Sequence, residues 1–185
     1  MITPGEHKGI RGYWHDDRFF VATGAVLDLL FPGGMQWIDA EDLAEGQRCH
    51  EEMHRCFKAG GDTSGNPRVQ ALLNHLRATG CVQIDSEVTW LSEKYGYGGT
   101  IDGALCQETR KSTIIADWKF AESIDERYHF QLEAYDRMTR SEVRHVLIIF
   151  QVTRACKVNP VVVKPDSRHW AYFQNALAVL KFRLR

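Results

Sequence analysis

Residues 98–120, GGTIDGALCQETRKSTIIADWKF, carry three charges inside an apolar pattern. The stretch predicts a β-hairpin, because two short apolar runs flank a polar turn. Asp102 interrupts the first run, and Asp117 and Lys119 interrupt the second. Burying a charge is costly unless the charge is paired. The hairpin therefore needs a chemical reason for holding two carboxylates and an amine.

The spacing of these charges predicts a metal site. Side chains alternate across a strand, so Asp117 and Lys119 lie on one face and Trp118 on the other. If the strands pair, Asp102 lies beside Asp117, and two neighbouring carboxylates repel each other unless a cation separates them. We expect Mg²⁺ or Mn²⁺ there. An Asp-x-Lys triplet alone is a weak signal that a solvated strand also explains; its apolar flanks favour the buried site.

The rest of the chain predicts an α/β protein. The first 17 residues are polar and aperiodic, which suggests a mobile N-terminal arm. An apolar run then opens into a helix with Thr23 as N-cap and a stop at Pro32. Further helices are predicted at 39–59, 67–79, 124–140 and 166–185, and strands at 82–92, 99–106, 113–120, 144–153 and 157–165. We expect a single domain over residues 18–185, with a central mixed sheet of about five strands flanked by helices.

Composition sets broad limits. A chain of 185 residues with 44% hydrophobic and 25% charged residues suits one globular domain. No apolar run reaches the roughly 18–20 residues that span a bilayer, and the N-terminus lacks a signal-peptide pattern, so we expect a cytoplasmic protein without a membrane partner. The net charge of −1 neither supports nor excludes DNA binding. Five scattered cysteines without a Cys-x-x-Cys pair argue against a zinc ribbon or a disulfide framework.

Residues 50–54, HEEMH, match the H-E-x-x-H pattern of zinc metallopeptidases. In that interpretation His50 and His54 bind zinc and Glu51 is the general base. The following RCFKAG lacks the metzincin continuation. A solvated helix face is the simpler interpretation of His54 and Glu51. The segment HFQLEAY places Gln131 and Tyr135 on one helix face, which an ordinary amphipathic helix also explains.

Taken in order, these motifs resemble the PD-(D/E)XK nuclease superfamily, and within it the RecB-like and lambda-exonuclease-like branch. Phage recombination exonucleases and the mitochondrial genome-maintenance exonuclease are similar in layout. The resemblance covers about residues 20–165. VATGAVLDLLFP resembles the Ser/Thr-containing segment, GQRCH the Gly-x-x-x-His motif, GTIDG and IADWKF the acidic motifs, and QLEAY the Gln-x-x-x-Tyr motif. The chain departs from the pattern in having Ile101 where proline is common, and Asp117 where many relatives have glutamate.

The resemblance implies a restriction-endonuclease-like core and a metal-dependent deoxyribonuclease. It implies an exonuclease that acts on DNA ends or single strands in recombination, repair or phage DNA processing. One or two Mg²⁺ or Mn²⁺ ions would be held by Asp102, Asp117, the Trp118 carbonyl and His50. Nitrogen donors suit Mn²⁺ better than Mg²⁺, so an imidazole ligand makes manganese a plausible substitute.

The resemblance also implies roles for the other residues. Lys119, with the metal, would lower the pKa of the attacking water. Gln131 would orient Lys119 or that water, and Tyr135 and Thr23 would contact backbone phosphates. Glu87, on the neighbouring strand, is a weaker candidate for supporting the ligands without binding the ion.

Several alternatives remain open. No iron–sulfur cluster is expected, because only Cys156 lies in the C-terminal region where such relatives carry three cysteines. No helicase motif is present, so any motor would be a separate helicase or recombination protein. The oligomeric state, digestion polarity and strand preference are undetermined. Besides a nuclease, the chain could be a zinc metallopeptidase or a catalytically silent DNA-binding module.

Overall fold

The computed structural model describes residues 1–33, 39–61, 63–107, 112–139 and 145–185. These ranges contain one eight-stranded mixed sheet and five helices. The strands are β1 (Ile2–His7), β2 (Ile10–His15), β3 (Arg18–Ala22), β4 (Cys81–Ser92), β5 (Tyr97–Gln107), β6 (Ser112–Lys119), β7 (Val146–Val152) and β8 (Val158–Val163). The helices are α1 (Thr23–Leu30), α2 (Ala40–Lys58), α3 (Pro67–Ala78), α4 (Glu126–Met138) and α5 (Ser167–Arg183). The predicted class, a central mixed sheet flanked by helices, is confirmed.

The N-terminal segment differs from its prediction. The five predicted strands are β4 to β8, and the sheet has three more in β1 to β3. Residues 1–17 were expected to be an arm without regular structure, but they form β1 and β2. These two strands pair antiparallel with each other, and β2 also pairs antiparallel with β3. Trp14 packs against His7 and Phe19 with ring centroids 5.5 and 5.0 Å away. These contacts across strands, rather than any local alternation of apolar residues, hold the segment in the sheet. The division into domains stays a prediction.

The sheet forks along β5. One edge of β5 pairs with β4 from Tyr97 to Gln107. The other edge is shared, since residues 97 and 98 pair parallel with β3 while residues 103–107 pair antiparallel with β6. After Ala116, β6 leaves β5 and continues in parallel with β7 as far as Lys119. None of the described strands pairs with residues 99–102 on this edge, and Asp102 lies in the gap.

Two hydrophobic cores cover the central strands. The first contains Ile101 and Ile115 and packs against α1, α4 and α5. The second contains Leu105 and Trp118 and packs against α2 and α3. Because both faces of the β5–β6 hairpin are buried, its strands read as continuous apolar runs instead of alternating ones.

The helix ends follow the sequence in part. Pro67 occupies the first turn of α3, whose N-cap Asn66 accepts from the next backbone N–H groups. The N-cap expected at Thr23 is wrong: Ala22 is the cap, because the Thr23 hydroxyl donates to the Gly98 carbonyl at 2.9 Å. The predicted turn through residues 107–112 falls mostly on residues 108–111, which lie outside the described residues. No helix in the ranges given above is both long and apolar enough to cross a membrane.

Candidate active site

The fork brings the three predicted charges together. Asp102 Oδ2 accepts a hydrogen bond from the Trp118 backbone N–H at 2.9 Å, which ties the carboxylate of β5 to β6. Asp102 and Asp117 are 9% and 0% exposed. Lys119 Nζ lies 2.6 Å from Asp117 Oδ2. The alternation of β6 is responsible, because it places Asp117 and Lys119 on the same face.

Asp117 depends on this ion pair for its polar contacts. Both of its carboxylate oxygens are buried, and apart from the Lys119 ammonium neither has a hydrogen-bond donor within the described part of the chain. A buried carboxylate in this state is costly. Carboxylate oxygens are the ligands that Mg²⁺ and Mn²⁺ prefer, so the site fits a divalent cation.

His50 and Glu87 extend the cluster. His50 Nδ1, from α2, lies 3.5 Å from Asp102 Oδ2. One ligand atom from each of His50, Glu87 and Asp102 lies within 4.8 Å of the other two, a spacing that one ion could bridge. The structure places the Glu87 carboxylate beside the candidate ligands. Its predicted role of supporting those ligands stays a prediction.

Glu87 has an unusual backbone. Its φ of 52° is in the left-handed region, which is uncommon for a residue other than glycine. The ladder pairs Ser86 with Gly103 and Val88 with Ile101, so Glu87 lies opposite Asp102 where regular pairing is interrupted. Such a conformation typically costs about 1–3 kcal/mol and tends to occur at functional sites.

Burial governs the ionisation of the cluster. Desolvation lowers the pKa of His50 to about 4, so its imidazole is neutral and can bind a metal. Desolvation also raises the pKa of Asp117 to about 6 and that of Glu87 to about 7. Burial alone would lower the pKa of Lys119, but the carboxylates of Asp117 and Asp102 raise it, and the amine stays charged. A divalent cation would offset the desolvation of the carboxylates.

A cleft of about 590 Å³ opens between α2 and α4. His50, Lys119 and Gln131 line it, so the site is open to a ligand. Lys119 Nζ lies 4.7 Å from the centre of the Tyr128 ring, at cation–π distance. Gln131 Nε2 donates to the Tyr135 hydroxyl at 2.7 Å. The helix that carries the predicted Gln-x-x-x-Tyr motif is thus one wall of the site.

Thr23 and Tyr135 lie behind the fork. They are 1% and 4% exposed, and a Cβ at Gly99 would lie 2.6 Å from Tyr135 Cε1 and 2.8 Å from Thr23 Oγ1. Only glycine leaves room for both at this point of β5. Their predicted contacts with DNA phosphates stay a prediction.

Trp118 serves the site through its backbone. Its ring is buried in the second core near Phe57 and Phe150, with centroids 5.9 Å away in each case. Its N–H donates to the Asp102 carboxylate. The predicted role of its carbonyl as a metal ligand stays a prediction.

The HEEMH residues do not converge as a zinc peptidase site requires. His50 Nδ1 lies near Asp102, whereas His54 Nδ1 lies 2.8 Å from Ser86 Oγ. Glu51 is exposed. Among the residues that the structure describes, the group with metal-ligand spacing includes His50 but neither of the other two. The two histidines are one helical turn apart and meet different residues of the sheet.

Comparison with known proteins gives a match in structure only. No protein-family model matches the chain, and no curated protein matches its sequence. An alkaline exonuclease from Laribacter hongkongensis is similar in structure, with 11% identity, a TM-score of 0.56, and coverage of 89% of this chain and 87% of that chain. The structure of that exonuclease in complex with dAMP gives 14% identity, a TM-score of 0.54 and the same coverage. At these identities the comparison shows that the chain shares the fold of an alkaline exonuclease.

Proposed function

We propose that this protein is a metal-dependent deoxyribonuclease of the PD-(D/E)XK type, acting as an exonuclease on DNA ends or single strands. The observation that carries the proposal is the buried cluster of Asp102, Asp117 and Lys119 at the fork, where the Asp117 oxygens have no hydrogen-bond donor among the described residues beyond the Lys119 ammonium. The shared fold supports it, since the similar exonuclease is one whose structure is known in complex with dAMP.

The donor set is suited to magnesium or manganese. Asp102, Asp117, Glu87 and His50 would hold one or two ions, with the Trp118 carbonyl as a further ligand. When bound, the ion would lower the pKa of a water molecule and neutralise charge on the phosphate. The neutral imidazole of His50 can act as a ligand without first losing a proton.

Lys119 has the central role among the residues of the chain. Its amine is charged, is held by Asp117 and the Tyr128 ring, and lines the cleft. In this position it holds the attacking water or stabilises negative charge that develops on the phosphate. Gln131, from the facing helix, orients that water or Lys119.

We place this activity in DNA recombination, repair or phage DNA processing, with a RecB-like or lambda-exonuclease-like mode of action. The partner that we propose for this process is a separate helicase or recombination protein. The predicted contacts of Thr23 and Tyr135 with backbone phosphates would require these buried side chains to become accessible.

Digestion of end-labelled linear, nicked and covalently closed circular DNA tests the proposal. We expect linear DNA to be degraded in Mg²⁺ or Mn²⁺ and the closed circle to survive. EDTA and Asp117→Asn should each stop degradation, whereas Lys157→Met, at an exposed position, should leave it unchanged. A cut circle would reject strict exonuclease action. Binding of DNA without cleavage in either metal would reject the nuclease and favour a silent DNA-binding module.

A further inference from the structure

We propose that His54 and Ser86 form a clamp that positions the Glu87 carboxylate for metal binding. The inference rests on the proposed function and adds two positioning residues to it. It also gives a role to the second histidine of HEEMH, which the nuclease chemistry does not use.

The clamp begins on α2. His50 and His54 are four residues apart and therefore project from the same helix face. His50 lies beside Asp102 on β5, and His54 Nδ1 lies 2.8 Å from Ser86 Oγ on β4. Between them, Met53 is fully buried in the second core, which fixes this part of the helix against the sheet. One helix thus contacts both strands of the metal site.

On β4, the clamp holds the residue that precedes Glu87. Ser86 is 8% exposed, its hydroxyl hydrogen-bonds His54, and its backbone N–H donates to Asp85 Oδ1 at 2.9 Å. Glu87 follows with a φ of 52°. A left-handed residue within a strand changes the direction of its side chain relative to the regular alternation. The hydrogen bonds at Ser86 therefore fix the point from which the Glu87 side chain departs.

The result is the placement of a ligand atom. The Glu87 carboxylate comes within 4.8 Å of ligand atoms of both His50 and Asp102. A strained conformation persists only where surrounding contacts hold it, and the bond between His54 and Ser86 is such a contact. Loss of the clamp would free Ser86 and let Glu87 leave its left-handed conformation, so that its carboxylate would no longer be held within reach of both partners.

Mn²⁺ binding, measured by titration calorimetry and by electron paramagnetic resonance, tests the clamp without requiring catalysis. His54→Ala and Ser86→Ala should each weaken Mn²⁺ binding by about tenfold or more, as expected when residues that orient metal ligands are removed. The double variant should be no worse than either single variant, because both remove the same hydrogen bond. His54→Asn and Ser86→Thr, which keep a polar partner, should bind nearly as tightly as the wild type.

His75→Asn is the matched control. His75 is a half-buried histidine on α3 that packs against Phe150 with ring centroids 5.8 Å apart. It should lower stability without changing Mn²⁺ affinity.

If His54→Ala does not fold, Ser86→Ala removes only a hydroxyl and makes the same test. Wild-type affinity in the folded variants, or additive losses in the double variant, would overturn the clamp alone. A wild-type protein that binds no Mn²⁺ would overturn the proposed function together with the clamp.

Discussion

Replacing Lys119 with methionine tests whether the buried carboxylates depend on its charge. Methionine approximates the lysine stem without the ammonium group. Lys119 Nζ is 2.6 Å from Asp117 Oδ2, and the two side chains are 14% and 0% exposed. No described hydrogen bond would compensate the Asp117 oxygens once the amine is gone.

The expected loss of stability is large. Removing one partner of a buried ion pair costs about 3–5 kcal/mol, because the other charge is left uncompensated. For a chain of this length, 1 kcal/mol corresponds to roughly 2–4 °C in Tm, so the Tm of the metal-free variant should fall by about 6–20 °C. Mn²⁺ binds the same carboxylates and replaces the missing charge. The rise in Tm on adding Mn²⁺ should therefore be larger for the variant than for the wild type.

Catalysis should fall even where Mn²⁺ restores stability. Loss of a fixed group that stabilises charge developing in the transition state lowers the rate by about 10²–10³-fold. Thermal unfolding in EDTA and in Mn²⁺, with single-turnover cleavage of end-labelled linear DNA, measures the effects separately. The control Lys157→Met, at an exposed lysine, should leave both the Tm and the cleavage rate unchanged. Cleavage at the wild-type rate would refute the catalytic role, and an unchanged metal-free Tm would refute the buried pair.

Three further predictions concern the surroundings of the site. Gly99→Ala should lower the free energy of unfolding, measured in urea, by about 1–3 kcal/mol, because its Cβ would collide with Tyr135. The control Gly65→Ala, at an open position, should not lose this stability. Equal losses in the two variants would contradict the packing argument. Asp28→Asn should destabilise the protein at neutral pH but progressively less in acid. Burial raises the pKa of Asp28, but hydrogen bonds from two arginines outweigh it and lower that pKa below its usual 3.8. The stability that Asp28 contributes is therefore lost as pH falls through the lowered pKa. A loss of stability in Asp28→Asn that does not depend on pH would exclude this cause. Glu51→Ala should leave nuclease activity and Mn²⁺ affinity unchanged. Loss of either would support a functional metal site at HEEMH.

The fold was predictable where local pattern and final structure agree. β4 to β8 and the helices from α2 onward have apolar runs, caps or terminal glycines that mark their positions. β1 and β2 have no such signal, since Pro4 and Gly5 interrupt β1 and polar residues interrupt β2, and the apolar run of β3 was interpreted as leading into α1. Short turns join these three strands, and their place in the sheet depends on the pairing of β3 with β5, far along the chain. Local sequence does not encode that pairing.

The candidate site shows the same division. Alternation along β6 was enough to place Asp117 and Lys119 on one face, and the predicted hairpin brought Asp102 close to them. The closeness of the Glu87 carboxylate to His50 and Asp102 was not predictable in the same way, because Glu87 has a positive φ that no side-chain pattern reveals. Thr23 was predicted to cap α1, but its hydroxyl donates to the Gly98 carbonyl. That contact cannot be predicted without knowing that β5 lies beside the start of the helix.

The register of β5 and β6 explains why a hydrophobic hairpin can hold these charges. Gly103 pairs with Ala116, so one further step of the antiparallel ladder would set Asp102 directly opposite Asp117. Like charges in that position destabilise a sheet, and the ladder ends there. The Trp118 N–H donates to the Asp102 carboxylate instead, while β6 remains paired with β7. The fork thus follows from placing an aspartate at each of two facing positions, and the gap that it leaves lies beside His50 and Lys119, where a cation can compensate both carboxylates.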